Sequence, residues 1–470
     1  MKLLVVLSCS LSCFFFCCKK DGFISSPDAK LVTGVDTLRF DTVFTSVGSF
    51  TRSFTLVNGN SQKLRISNIK LGGGATSPFK INVDGLAGTS FSNIELNAND
   101  SMYVFVKVTI DPNVATNLFV ILDSIQVDYN GNTSIVYLQA FGQNARFIKG
   151  QTITSNTVWN NSLPYVIQSN LEVTAGAILT IEKGTKVYCS ATAAIIVNGS
   201  LKVMGEKNPA DHVFFRGARL DADYKDLPGG WPGIILTANS RNNEMNFAEV
   251  LNAYQAIVVV GGANLAPAKL VINECIIHNA YDIGLYGLQT SITARNCLIS
   301  QCGNDGEPGI GGSNVMLTGG GKYNFEHCTM ATFSNLYQNH KQPVCFISNS
   351  DGGTVASLQA TFTNCIIYGQ GGSAEDELVI QKAASDPVSF FNSFYKIKNT
   401  DPAGVTFTGC FKNTDPLFDS INASRQEYNF RLKENSPAVD AGKTTALTQD
   451  LDGNPRLAGI KPDAGCYEKQ

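Results

Sequence analysis

Five segments in the second half of the chain share one core: apolar–x–apolar–x–Asn/Glu/His–Cys–x–apolar. They are KLVINECIIHNAYDIGLYG, SITARNCLISQCG, KYNFEHCTMATFSN, LQATFTNCIIYGQGG and PVSFFNSFYKIKN. The aligned positions are Cys275, Cys297, Cys328, Cys365 and Ser393, separated by 22, 31, 37 and 28 residues. A strand unit that recurs at twenty-odd residues, with its extra length in Gly-rich inserts, cannot bury its apolar face alone and must stack on its neighbours. The strands are too short and the helical patterns too few for leucine-rich repeats. The pattern predicts a right-handed parallel β-helix of about ten coils over 150–434, with coils stacked about 4.8 Å apart. The Cys column is then an inward ladder of small apolar side chains. A redox or metal array is its functional rival, but parallel Cβ vectors on adjacent rungs suit a disulfide badly. Glu274, Asn296, His327 and Asn364, just before each Cys, are expected on the outer side or at a corner. Asn tolerates the left-handed turn a corner needs.

The texture upstream is different. Between 31 and 147, seven short alternating runs are separated by Gly, Asn, Asp or Pro: DTLRFDTVF, TRSFTLVN, KLRISNIKL, FKINV, SMYVFVKVTI, SIQVDY and SIVYLQAFG. That is the sequence picture of a β-sandwich. The whole chain therefore reads as all-β. With Lys+Arg 36 against Asp+Glu 39, net charge −3 and no basic tract, nothing could neutralise a row of phosphates, so nucleic acid is not an expected partner. The first residues carry Lys2, an apolar run from Leu3 to Phe16, then Cys17 and Cys18. That run is too short for a spanning helix and reads as an export signal. Nine Cys remain beyond it, from Cys189 to Cys466, an odd number with no C-x-x-C pair. This points to no disulfide framework and no zinc site.

Several stretches resemble known families. The apolar run ending at Cys resembles a bacterial lipoprotein signal peptide over 1–18. Cys18 is the implied acylation site and Cys17 the alternative, with residues 19–30 as a tether. CKKDG resembles the charged tags of surface-exported Bacteroidetes lipoproteins, and 31–147 resembles their immunoglobulin-like modules. The order of Gly184, Ile195 to Val197, Asn198 to Leu201 and Trp231 to Ile234 is similar to the opening coils of bacterial right-handed β-helix repeat proteins. SPAVDAG, DLDGNPR and DAGCYE are similar to a C-terminal element of the same group. Residues 435–470 are accordingly expected to cap the last coil, whose open edge would invite end-to-end association. Asp–Ser/Thr–apolar triplets at Asp36, Asp41, Asp100, Asp123 and Asp419 resemble the O-glycosylation sites of exported Bacteroidetes proteins.

Such resemblance implies an outer-membrane or cell-surface lipoprotein, held to the membrane by its lipid. With a long regular face and no assembled catalytic set, its solenoid is expected to bind or adhere to glycans or a surface partner without catalysis. The rival is a polysaccharide lyase or glycosidase working on a face of the β-helix, and the third reading is a structural spacer. An enzyme of that kind needs paired carboxylates, or carboxylates holding Ca²⁺ beside a base. The candidate acids are Asp221, Asp223 and Asp226, Asp305 and Glu307, and Glu375, Asp376 and Glu377. All lie in expected inserts, where solvated loop charge is the plainer reading, and they form no column. The four His (His212, His278, His327, His340) share no repeat position and read as outward or corner side chains. Asp450, Asp452 and Asn454 in DLDGN have the alternating oxygens of a calcium loop. The closing bidentate Glu is absent, so a structural turn is the expectation and calcium the one cofactor in view.

Overall fold

A computed structural model describes residues 22–112, 119–303 and 311–470. The chain divides into two compact units, Met1–Asn144 and Ala145–Gln470.

The first unit is a β-sandwich of two five-stranded sheets. All seven expected runs are strands. Three were not legible: Leu31–Thr33, Leu86–Gly88 and Ser90–Leu96. Ser90–Leu96 pairs on one side only, with Leu64–Leu71, so its polar SFSNIEL carries no alternation to read. Strand Thr37–Phe44 runs parallel to Asn132–Gln143 and closes its sheet. Residues 23–30, expected as part of a tether, are docked on the sandwich. Phe23 already bridges to Lys63, and Ile24 N donates to Lys63 O at 2.8 Å. Asn130 Nδ2 donates to Ile24 O and Ser26 O, and Ala29 is buried in the core.

The second unit is a parallel β-helix with three faces. Face A holds strands such as Leu171–Val173, Ile195–Val197 and Ile234–Leu236. Face B holds Ile178–Glu182, Ser200–Met204 and their successors, and joins face A in one seventeen-stranded parallel sheet. Face C is an eleven-stranded parallel sheet from Arg146–Ile148 to Phe411–Lys412, eleven rungs and so about ten turns. Parallel crossovers of this kind wind right-handed. Inward positions stack in columns. Cys275, Cys297, Cys328 and Cys365 are fully buried and unpaired, and Cys410 continues the column beyond Ser393. Burial pushes the Cys297 and Cys365 thiols well above their ordinary range, so they behave as small apolar fillers. Beside them Phe325, Phe362, Phe390 and Phe407 stack at 4.8, 4.7 and 5.1 Å.

The corner before the Cys column is a left-handed ladder. Glu274, Asn296, His327, Asn364 and Asn392 have φ of 52°, 49°, 51°, 54° and 47°. A corner is where the sequence put them, but Asn296, His327 and Asn364 are buried there, not exposed.

Their burial comes from the C-terminal element, which does not lie where the sequence placed it. The hairpin Phe418–Asn422/Glu427–Leu432 and the chain beyond it cover the flank of face C instead of the end of the last coil. Phe418, Phe430, Leu432, Leu451 and Tyr467 pack on Leu298, Phe333, Ile366 and Phe394. Asn296 Nδ2 donates to Gln449 O at 2.9 Å, Asn364 Nδ2 to Lys443 O at 2.8 Å, and Asn392 Nδ2 to Ala441 O at 3.0 Å. Physically, this outward register of face C is apolar at Ile276, Leu298, Ile366, Phe394 and Phe411, and its one polar rung among them, Thr329, accepts from Cys466 N at 3.0 Å. A flank of that length exposes more apolar surface than one open coil does, so covering it is the larger gain.

Truncating Phe362 in the middle of its stack opens a cavity the parallel strands cannot close. Phe362→Ala is expected to cost about 3–5 kcal/mol, read as a lower denaturant midpoint with β-sheet circular dichroism retained in water.

Candidate functional site

Face B presents the most regular polar surface of the solenoid. Thr293, Asn324, Thr361, Ser389 and Thr406 occupy one outward register on five successive coils. Lys322 and Gln359 stand exposed one register to the side. Residues 265–268 overhang this face and, with Thr293, Lys322, Asn324, Gln359 and Thr361, line a groove of about 350 Å³. The overhang is pinned from below. Ser291 Oγ donates to Gly262 O at 2.9 Å and accepts from Lys269 N at 3.0 Å. The Lys269 ammonium is buried and donates to Thr237 O at 2.6 Å and to Val260 O. Burial, then the nearby Arg241, hold its pKa down at about 8.

Hydroxyls and amides both donate and accept hydrogen bonds. A ladder of them repeating about every 4.8 Å suits an extended polymer rich in hydroxyls. Lys322 is the one charged side chain lining the groove. The other faces differ. After Thr152 and Glu172, the outward register of face A is apolar: Ile196, Ile235, Val258, Tyr286, Met316, Phe346 and Val379. Face C is covered by the C-terminal element over its later coils, from Leu298 to Phe394.

Most of the described candidate acids are held by neighbouring basic residues. Asp221 is clamped by Arg219, Nε–Oδ1 2.9 Å and Nη2–Oδ2 3.3 Å, and Asp223 lies two residues on in the same loop. Asp226 faces Arg216 at 3.4 Å. Asp305 and Glu307 lie outside the described residues. Glu375 pairs with Lys398 at 2.6 Å, and Asp376 Oδ1 accepts from Lys398 N at 2.7 Å. Glu377 corrects the expectation of solvated charge. It is fully buried, with His340 Nε2 at 3.0 Å and Lys396 Nζ at 3.5 Å. Gly369 leaves the room, since a Cβ there would collide with both His340 and Glu377. Nothing in AEDE distinguishes this third acid. Its position at the turn into Leu378–Gln381 decides its fate. Five carboxylates sit in described strands of the solenoid: Glu172, Glu182, Glu244, Glu249 and Glu326. No two are partners in register.

The histidines are held, not poised. His212 Nδ1 lies 2.8 Å from Glu249. His278 Nδ1 lies 2.9 Å from Ser300 Oγ, and burial holds its pKa at about 4. His327, fully buried, falls to about 2 through desolvation and the Arg456 charge, and Asn364 Nδ2 lies 2.7 Å from its Nε2. The calcium-loop oxygens are also committed. Asp450 accepts from Asn454 N at 2.7 Å and Glu468 N at 2.9 Å, and Asp452 pairs with Arg431 at 2.6 Å. DLDGN is a turn whose carboxylates satisfy backbone amides and a guanidinium. Among the described residues, no group of three or more His, Cys, Asp or Glu side chains gathers as a metal site. Of the acylation and glycosylation calls, Cys17 and Cys18 lie outside the described residues. Ser101 and Ser420 of the triplets are exposed.

One residue had no signal in the sequence. Arg456, a lone basic residue in a polar turn, is buried at the seam between the C-terminal element and the solenoid. Its Nη2 donates to Asn296 Oδ1 at 2.6 Å and to Cys466 O at 3.0 Å, and Nη1 faces Glu468 at 3.7 Å.

No protein-family model matches the chain, and no curated protein matches it. Among solved structures it is similar to a family 123 glycoside hydrolase from Clostridium perfringens, studied for glycolipid glycan hydrolysis. Identity there is 10% and TM-score 0.19, covering 25% of this chain and 26% of the hydrolase. A PapD-like domain of human CEP192 matches at 12% identity and TM-score 0.17, covering 26% of this chain and 87% of that domain. The chain thus spans about a quarter of the hydrolase. Both scores are too low to carry an argument, and the fold rests on the sheet topology above.

The seam titrates near neutrality. Burial raises the Glu468 carboxyl from 4.5 to about 7, against the pull of Arg456. A carboxyl whose folded pKa is raised stabilises the fold fully below its unfolded value and loses that contribution as pH rises through the folded one. The seam should therefore weaken between about pH 4.5 and 7. Hydrogen exchange over 450–468 should quicken across that window, and Glu468→Gln should flatten the change.

Proposed function

We propose that the protein is a lipid-anchored surface lipoprotein of the Bacteroidetes type, acylated at Cys18. Its solenoid binds glycans or a glycan-bearing surface partner on face B without chemical turnover. The observation that carries the binding reading is the five-rung ladder Thr293–Asn324–Thr361–Ser389–Thr406, whose first three rungs line the groove under the pinned overhang. Side chains that donate and accept at a constant repeat match a hydroxylated chain lying along the solenoid axis. Keeping them in rigid strands means little ordering cost on binding. The non-catalytic reading draws on the five carboxylates in described strands of the solenoid, no two of which are partners in register.

The whole mature protein on a glycan array should give hits among extended neutral polysaccharides. Asn324→Ala with Thr361→Ala should weaken the best hit at least about tenfold, since two buried-side hydrogen bonds to a ligand are worth roughly 1 kcal/mol each or more. The thermal midpoint should hold, because both side chains face outward. Hits that ignore this double substitution would sink the assignment to face B. For the rival enzyme, unsaturated uronide formation from acidic polysaccharides is the direct assay. A signal lost on Asp305→Asn or Glu307→Gln would replace the present reading.

A further inference from the structure

The N-terminal residues are docked on one end of the sandwich, which gives that end a specific neighbour. Phe23 bridges to Lys63, and the Arg65 guanidinium lies 4.1 Å over the Phe23 ring. Asn130 holds Ile24 O and Ser26 O, Asn132 Nδ2 donates to Pro27 O at 2.7 Å, and Lys30 and Asn60 exchange two hydrogen bonds at 3.0 and 2.8 Å. Residues 23–30 are thus bound to the turns at 59–63 and 129–132. The turn at 97–100 belongs to the same end, because Asn58 Nδ2 donates to Asn97 O at 2.7 Å. The chain leaves the sandwich elsewhere. Thr45 N donates to Gln143 O at 2.9 Å, and Gln143 pairs with Phe44. Strand Asn132–Gln143 runs from the docked end to the exit, 12 residues or about 35 Å.

We infer that the turn end of the sandwich, built from residues 59–63, 97–100 and 129–132, is a membrane-facing surface seated against lipid headgroups. This inference rests on the lipoprotein reading. Only residues 19–22 separate Cys18 from Phe23, so five chain steps, at most about 18 Å when fully extended, link the acyl-bearing residue to a docked one. A leash of that length holds the turn end at the headgroup layer, while the chain continues toward Ala145 from the opposite end. The Gln143 end of the sandwich then lies away from the headgroups by roughly the length of strand Asn132–Gln143.

Paired labels test this. The full-length acylated protein, with Cys410→Ser to remove a half-buried thiol, is reconstituted in liposomes containing a short-range quencher on the lipid headgroup. A fluorophore is placed on Ser61→Cys at the turn end or on Ala75→Cys at the other end. Both sites are exposed, and about 24 Å of strand Leu64–Leu71 separates their turns. The Ser61 label should be quenched at least about threefold more than the Ala75 label. Inserting twenty Gly/Ser residues between Gly22 and Phe23 should bring the ratio toward one. Equal quenching with Cys18 shown acylated by mass spectrometry overturns this inference and leaves the lipoprotein reading standing. An unchanged ratio after the insertion overturns the leash argument. A Cys18 without acyl groups overturns both.

Discussion

Everything in the second unit depends on inward side chains of one coil lying directly on those of the next. Parallel strands repeat every 4.8 Å or so, and that spacing lets Cys sit on Cys and Phe on Phe with ring centroids 4.7–5.1 Å apart. Each contact is modest, but each coil supplies the surface that buries the next, so stability accumulates along the axis. Corners must keep the rungs in register. The left-handed residues before the Cys column do so, and Asn serves because it tolerates a positive φ while its amide reaches carbonyls of the C-terminal element.

With the interior fixed by stacking, the three outer faces are free to differ, and their differences hold the functional content. Face C takes the C-terminal element over its later coils. Face B is polar and regular and takes the proposed ligand. Face A is apolar in its outward register after Thr152 and Glu172. The C-terminal element is therefore part of the folded body and not an accessory at its end. Arg456 shows what its docking costs: a fully buried guanidinium whose Nη2 donates to Asn296 and the Cys466 carbonyl, whose Nη1 faces Glu468 at 3.7 Å, and whose Nε and Nη1 have no hydrogen-bond partner. Removing one member leaves a buried charge without its partner, which typically costs more than the pair contributes.

The repeat was legible because it obeys a local rule. An alternating strand, a turn residue and a small buried residue recur, and period alone implies stacking. The sandwich was legible for the same reason, except where an edge strand such as Ser90–Leu96 has little to bury. The groove was not legible. Thr293, Asn324, Thr361, Ser389 and Thr406 are separated by inserts of different length, so nothing in the chain marks them as one column. Glu377 was misjudged because neighbouring acids look alike until a turn directs one of them inward.

The amino-acid sequence by itself determined the class of fold, the change from sandwich to solenoid and the inward Cys column. Those follow from hydrophobic period and turn chemistry, which act over a few residues. Only the tertiary structure decided which face the C-terminal element covers, which acids are buried and where the polar ladder runs. Those outcomes depend on which apolar surface is left over once the coils have stacked. That quantity belongs to the assembled solenoid, not to any segment of the chain.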